Sequence, residues 1–411
     1  MIKILHTADL HLDSPLRSLA LRNSGLRDTI AAASRSAFSQ LSDRAISEEV
    51  AAFLIAGDLF DGKERTATTG AFLLAELDRL GEAGIEVFYI KGNHDAENPI
   101  AGALDLPAHV HVFDARGGKK QLTDDIWIHG VSFADSHAPD SLLPRFKSPV
   151  PGAVNIAMLH SSLGGAAGHD DYAPCSITAL AEMGFDYWAL GHIHKRQVHS
   201  QTPWVVMPGM PQGRDIGEAG PKSATLLTID RGCINVSEVP TSVVEFVHTE
   251  LDVTEADNNE TLRALLKAHL KETRHAIAAP AGVLRLTLTG CPARHWKFLR
   301  DRDVWSEQLG ELAESAGNLW IDKLLFAFSP PSANDTAGNA SDELATTMAT
   351  IRTEPGFTEL ARTEVETVLQ ALPATIRDRL MADEAERDAL VERLAKAGAD
   401  LVLAQMKGVE K

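Results

Sequence analysis

Phe53-Leu54-Ile55-Ala56-Gly57-Asp58-Leu59-Phe60-Asp61-Gly62 begins as a short apolar run, entered from Val50, and ends in a glycine followed by a carboxylate. The run is too brief for a helix. It predicts a buried strand that delivers Asp58 to the rim of a sheet. Open α/β sheets bind their ligands just beyond the carboxyl ends of their strands. One turn carboxylate after one strand is ordinary solvated structure. Asp58 gains meaning because the same construction recurs along the chain, each time presenting a residue type that binds metals.

Upstream, Ile2-Lys3-Ile4-Leu5-His6-Thr7-Ala8 predicts a first strand ending at Asp9, with His11 close behind. Residues 27–48 carry helical spacing in Ile30, Ala33, Ala37, Leu41 and Ala45, and residues 72–80 form a second helix closed by Gly81 and Gly84. Residues 85–90 predict the next strand, which ends in Gly92-Asn93-His94-Asp95. The order β-α-β-α-β is that of a sheet with crossover helices. Further strands are expected at 126–129, at 154–159 ending in His160, and at 187–190 ending in Gly191-His192-Ile193-His194. Residues 204–207, 224–229 and 233–239 read as antiparallel strands that close a first domain near Pro240. Lys119-Lys120 is placed in a Gly-rich turn. His6 and His129 read as packed strand residues, and His169 as a loop residue of undecided role.

From Glu245 the pattern restarts: strand 245–253, helix 260–278, strand 283–289, helix 294–316 and strand 319–328. A Ser-, Pro- and Asn-rich linker follows, and then a helical tail broken at Pro355-Gly356 and Pro373. The expected domains are 1–240, a small unit at 241–328, a linker at 329–341 and a tail at 342–411. Leu390, Leu394 and Leu401 mark an apolar stripe that docks either onto its own chain or onto a partner.

With 411 residues, 44% of them hydrophobic, the chain has enough apolar material for two or three domains. Cys175, Cys233 and Cys291 are few, odd in number and far apart. They read as buried thiols of a reducing compartment rather than a disulfide framework or a metal site. Met1 is followed directly by the first strand, and no apolar run is long enough for a bilayer, so a soluble cytoplasmic protein without a membrane partner is expected. The net charge of −18 weighs mildly against DNA binding by this chain alone. Metal-bound carboxylates and a locally basic cleft would reconcile the two. Gly-rich nucleotide loops are absent, so any use of ATP would come from a partner.

Asp9, His11, Asp58, Asn93, His94, His160, His192 and His194 all follow strands and offer nitrogen and oxygen donors without sulfur. Two metals sharing a carboxylate, about 3.5–4 Å apart, clamp both oxygens of an in-line displacement at phosphorus. Such a donor set suits Mn²⁺ or Fe²⁺ as well as Zn²⁺, with Mg²⁺ possible, and the residues do not choose among them. A leaving alkoxide also needs a proton, which an imidazole can give near neutral pH. His94 is the candidate, since neighbouring Asn93 offers the amide oxygen as a ligand.

Asp9-x-His11, Gly57-Asp58, Gly92-Asn93-His94-Asp95, His160 and Gly191-His192-x-His194, in that order, resemble the five motifs of the calcineurin-like metallophosphoesterases. Within that family the first domain is most similar to SbcD-type DNA-repair exonucleases of the YhaO-type subfamily. Gly57 to Gly62, Gly92 to Glu97, Gly168 to Cys175, Asp186 to Lys195 and Pro211-Gln212-Gly213-Arg214 carry that likeness. The resemblance implies an α/β fold: a sandwich of two mixed β-sheets flanked by helices, with a small α/β capping domain and a helical C-terminal tail. It implies one metal held by Asp9, His11, Asp58 and His194, and another by Asp58, Asn93, His160 and His192. His94 would assist the leaving group, while Asp61 either orients His94 or is a solvated turn residue.

The implied activity is two-metal hydrolysis of DNA phosphodiester bonds, exonuclease or endonuclease, in DNA repair. The chain would be the nuclease subunit of an SbcC–SbcD-like complex, whose SMC-type ATPase the tail would engage, and a homodimer is implied as well. Two rivals stay open: a phosphodiesterase for a small phosphodiester or nucleotide, and a non-catalytic platform for the ATPase. Lys195, Arg196 and Arg214 either take phosphates of a strand or are surface charge. Met210 and Ser223 depart from the family pattern, where a polar residue and a glycine are expected.

Overall fold

A computed structural model describes residues 1–14, 24–61, 67–97, 104–164, 172–329, 340–372, 377 and 384–408. The first unit is built on two six-stranded mixed sheets. In one, β1 (Ile2–Thr7), β2 (Ala52–Ala56), β3 (Glu86–Ile90) and β4 (Val110–Val112) run parallel. β11 (Ser223–Asp230) pairs antiparallel with β1, and β12 (Cys233–Pro240) with β11. The other sheet has the order β5 (Gly118–Thr123), β6 (Ile126–Val131), β7 (Val154–His160), β8 (Tyr187–Gly191), β10 (Trp204–Met207) and β9 (Gln197–Gln201).

The period-2 alternation of a strand assigns each face. Phe53 and Ile55 of β2 join Leu5, Phe38, Leu41, Leu73 and Leu77 in a core under α1 (Ser24–Ser47) and α2 (Ala67–Glu82). Leu54 and Ala56, on the other face, pack with Ile4 and Phe88 against Ile128, Ile156 and Tyr187 of the second sheet. Trp188 and Leu190 point outward from that sheet, onto Phe146, Phe185 and Leu180 of the short helix Ile177–Glu182. Central strands covered on both faces have to read as unbroken apolar runs, as the one at 53–56 does.

Several expectations need correction. Lys119 and Lys120 lie in β5, opposite His129 and Ile128 of β6, rather than in a turn. β5 is a polar edge strand whose burial alternates weakly, so no apolar pattern marks it. β10 is parallel to β8 and antiparallel only to β9, a polar edge strand that apolar periodicity does not mark. Cys175 alone is a buried thiol; Cys233 is exposed at the start of the edge strand β12, and Cys291 is half-buried.

The chain divides into two compact units: Met1–His248 with Arg274–Arg285 and Asn318–Asp322, and Thr249–Thr273 with Leu286–Gly317 and Lys323–Lys411. A further three-stranded sheet has the order β13 (Val244–Asp252), β14 (Ala281–Thr289) and β15 (Leu319–Phe326). The helix expected over 294–316 is two, His295–Arg300 and Arg302–Ser315, separated at Asp301, where the backbone leaves helical geometry.

In the tail, helices Ala340–Arg352 and Pro355–Gln370 meet at Pro355, which takes the first-turn position open to proline. Pro373 lies outside the described residues. The last helix, Glu384–Lys407, buries Leu390, Val391, Ala399, Leu403 and Ala404 and leaves Leu394, Val402 and Met406 exposed. Lys407 covers the Trp296 ring at 5.5 Å within the same unit. No helix among the described residues is long and apolar enough to cross a membrane.

Gly57 sits at the end of β2 with φ +95°, and a Cβ there would overlap the His160 ring. Gly57→Ala should therefore combine backbone strain with a clash. We expect it to destabilise the metal-free protein by about 1–3 kcal/mol in denaturant titration, the range for a strained non-glycine backbone.

Candidate active site

Every motif residue lies at or just beyond the C-terminal end of a strand from a parallel set. Asp9 and His11 follow β1, and Asp58 follows β2. Asn93 and His94 open the short helix Asn93–Glu97 after β3, His160 ends β7, and His192 and His194 follow β8. The chain must turn back sharply at these points. Asp9, His11, Asp58 and His192 all take left-handed backbone conformations, with φ of 54°, 42°, 51° and 104°. Non-glycine residues rarely adopt that region, and such strain persists only where the surroundings enforce it.

Here they do. Asp9 N–H donates to Gly57 O, and His11 N–H to Asp58 O, both at 3.0 Å. The carboxylates complete the lock: His94 N–H donates to Asp58 Oδ1 at 3.0 Å, and His192 N–H to Asp9 Oδ2 at 3.0 Å. Gly92 lies so close to the Asp58 carboxylate that a Cβ would overlap it.

The donor atoms converge. Those of Asp9, His11 and His194 lie within 4.8 Å of one another, as do those of Asp58, His160 and His192. A third grouping of the same size, His11, Asp58 and His94, links the two through Asp58 and His11. Asn93 Oδ1 is 3.1 Å from His160 Nε2, which is 3.4 Å from Asp58 Oδ2. Asp9, His11, Asp58 and His160 are buried, whereas Asn93, His94, His192 and His194 are half-exposed.

Hydrogen bonds outside the cluster decide where the ring protons sit. His160 Nδ1–H donates to the Ala56 carbonyl at 2.9 Å. His194 Nδ1 is 2.7 Å from Glu218 Oε1 and 3.3 Å from the Arg214 guanidinium, and the two demand opposite tautomers. The shorter, charge-assisted contact prevails, so Nδ1–H donates to Glu218. His11 Nδ1 faces Asp61 Oδ1 at 3.6 Å. With the His194 proton directed outward, its Nε2 lone pair faces His11 Nε2 at 3.1 Å. A shared cation satisfies that arrangement, and histidines so anchored are the usual form of metal-binding imidazole. The residues therefore fit divalent metals.

The electrostatics agree. Burial alone would raise the Asp58 carboxyl, but His160, His11 and His94 hold it well below the ordinary carboxylate range. Burial disfavours a charged His160, yet Asp58 and Asp9 outweigh it and push the ring up to about 9. Burial takes His11 down to about 4 and raises Asp9 to about 6.

Around the cluster, Asp61 Oδ1 is 3.4 Å from His94 Nδ1, and Asp61 Oδ2 accepts from Ser14 Oγ at 2.5 Å; Asp61 is thus a held residue rather than a solvated one. Arg196 is engaged by Thr225 Oγ1 at 2.6 Å and by Glu238 at 3.5 Å, and Arg214 by Glu218 at 2.7 Å, while Lys195 is exposed. Met210 is buried, its N–H donating to His194 O at 3.2 Å. His6 and His129 are packed strand residues, His6 contacting Tyr187 and Leu190 and His129 contacting Asn155. His169 lies outside the described residues.

The roles of two residues escaped sequence reasoning, although Asp95 lies in the Gly92-Asn93-His94-Asp95 motif. Asp95 accepts from Phe60 N–H and Gly92 N–H, both at 3.0 Å, and so staples the loops after β2 and β3. Glu218 ends a 3₁₀ turn, Ile216–Glu218, well away from any strand end, and its only sequence signal is its place four residues after Arg214.

In the metal-free protein His160 carries a proton up to about pH 9, and ligation through Nε2 requires its loss. Mn²⁺ affinity should therefore rise from pH 6.5 toward 9, with protons released on binding. Calorimetry in buffers of different ionisation enthalpy checks this, and binding without proton release at pH 7 contradicts it.

The calcineurin-like phosphoesterase family matches over residues 2–196, and the middle domain of metallophosphoesterase YhaO over residues 246–329. The "uncharacterized metallophosphoesterase YhaO" of Bacillus subtilis is 33% identical over 319 residues, covering 76% of this chain and 78% of that protein. The DNA double-strand break repair protein Mre11 of Sulfurisphaera tokodaii is 31% identical over 204 residues, 48% of this chain and 50% of that protein. The chain thus spans about half the length of that Mre11 relative. A dimetal phosphatase structure from Danio rerio aligns with 58% of this chain and 96% of its own, at 13% identity and a TM-score of 0.39. With the motif residues gathered in one cluster and a relative of this similarity along three quarters of its length, the chain belongs to the calcineurin-like metallophosphoesterase family, its phosphoesterase domain followed by a YhaO-type middle domain.

Proposed function

We propose that this metallophosphoesterase hydrolyses DNA phosphodiester bonds with two divalent ions, Mn²⁺ first among the candidates. The observation that carries the two-ion reading is the convergence of two donor groups, Asp9 with His11 and His194 and Asp58 with His160 and His192, linked by the grouping of His11, Asp58 and His94. Asp9, His11, Asp58 and His194 would hold one ion, and Asp58, Asn93, His160 and His192 the other. Bound ions supply Lewis acidity at the phosphoryl oxygens and a more acidic attacking water. The Mre11 likeness supports DNA as the substrate.

The chain's own residues then have distinct tasks. The loops fix the reacting phosphodiester in line, because every donor sits on a strand end or on backbone locked to one. His94 is half-exposed and reaches the cluster from the solvent side, with Nδ1 toward Asp61. That orientation leaves Nε2 to donate a proton to the leaving alkoxide as the phosphorus–oxygen bond breaks. Lys195 and Arg214 are the basic side chains proposed to meet flanking phosphates. A role as the nuclease subunit beside an SMC-type ATPase, engaged by the helices of 342–411, is consistent with the exposed Leu394, Val402 and Met406.

The net charge of −18 favours a second reading, in which the substrate is a small phosphodiester or nucleotide. Comparing Mn²⁺-dependent hydrolysis of linear DNA and of bis-p-nitrophenyl phosphate at matched salt separates the two. DNA cleavage at the higher kcat/KM is the result expected; DNA left intact while the small ester is hydrolysed would overturn the DNA assignment. In the same assay His94→Gln should lower kcat about 10²–10⁴-fold, the range for a lost general acid, with metal content unchanged.

A further inference from the structure

We propose that Glu218 is a positioning residue that completes one half of the metal centre, an inference resting on the two-ion reading above. Glu218 Oε1 takes the Nδ1–H of His194 at 2.7 Å and so turns the Nε2 lone pair inward, to 3.1 Å from His11 Nε2. Arg214 holds Glu218 in turn, its Nη2 2.7 Å from Oε1 and its backbone N–H donating to Oε2 at 2.8 Å. The same guanidinium lies 3.9 Å from Asp61, the residue that faces both His94 and His11. The 3₁₀ turn that ends at Glu218 is itself capped by Asp215, whose side chain accepts from Gly217 N–H at 2.7 Å.

The structure makes this support one-sided. Glu218 contacts the grouping of Asp9, His11 and His194 through His194. The grouping of Asp58, His160 and His192 has a separate anchor, the bond from His160 Nδ1–H to Ala56 O at 2.9 Å. Without Glu218 the His194 ring is free to place its proton on either nitrogen and to rotate, so the ion shared with Asp9 and His11 weakens while the other stays. A carboxylate behind a metal-binding histidine typically contributes 10–100-fold in affinity. A merely structural ion pair between Glu218 and Arg214 would lower the melting temperature and leave the two ions equally bound.

The test is a calorimetric titration of the metal-free full chain with Mn²⁺, comparing wild type, Glu218→Ala and Glu218→Gln, with the melting temperature of each metal-free protein recorded. Wild type should take two ions. Glu218→Ala should keep one at wild-type affinity and bind the other about 10–100-fold more weakly. Glu218→Gln keeps an oxygen acceptor at similar reach, should fall between the two, and carries the comparison if Glu218→Ala melts early. Two ions bound by the variants as tightly as by wild type, or both ions weakened equally, would overturn the role given to Glu218. A wild-type chain that takes up fewer than two ions would instead overturn the two-ion reading, and this inference with it.

Discussion

Asp58 holds an ionised carboxylate with 2% of its surface exposed, and the cluster is arranged around that fact. An isolated buried carboxylate would take up a proton rather than bear the desolvation penalty. This one stays charged because the imidazoles of His160, His11 and His94 surround it and His94 N–H donates to it. The same charge draws His160 up to about 9, so the metal-free centre balances itself with protons. The second His160 proton occupies Nε2, the atom a cation would use. Metal and proton thus compete for that nitrogen.

Holding that many polar donors together requires a stiff frame, and two apolar sheets provide it. The core between them, from Ile4 and Leu54 to Ile156 and Tyr187, fixes the ends of β1, β2, β7 and β8 relative to one another. From those ends the chain turns back through left-handed residues, while Gly57, Gly92 and Gly191 supply the close approaches that any Cβ would block. The strain at the centre is held by the regular sheets behind it. The carboxylates of Asp9 and Asp58 have a double role, since each also accepts a backbone N–H from a neighbouring loop, as Asp95 does without joining the cluster.

The apolar runs before Asp9, Asp58, Gly92, His160 and Gly191 were legible because central parallel strands are covered on both faces and must be continuous. That pattern places the eight motif residues after strand ends, and the structure brings the ends of two sheets to one centre. Edge strands carry no such signature, which is why Lys119 and Lys120 of β5, β9 and exposed Cys233 were misjudged or missed. Glu218 was illegible for another reason: it reaches His194 from a turn 24 residues away, through a side-chain contact that no local pattern encodes. In the tail, Leu390 is buried as a packed stripe requires, but Leu394 is exposed and the buried face runs instead through Val391, Ala399 and Leu403. Helical periodicity marks a stripe but does not say which neighbour covers it.

The claim that Asp58 is shared between two ions is tested most directly by anomalous diffraction from crystals grown with Mn²⁺. Two peaks about 3.5–4 Å apart, one beside Asp9, His11 and His194 and the other beside Asn93, His160 and His192, with Asp58 touching both, is the result the account predicts. A single peak, or a pair that leaves Asp58 uncoordinated, would contradict it.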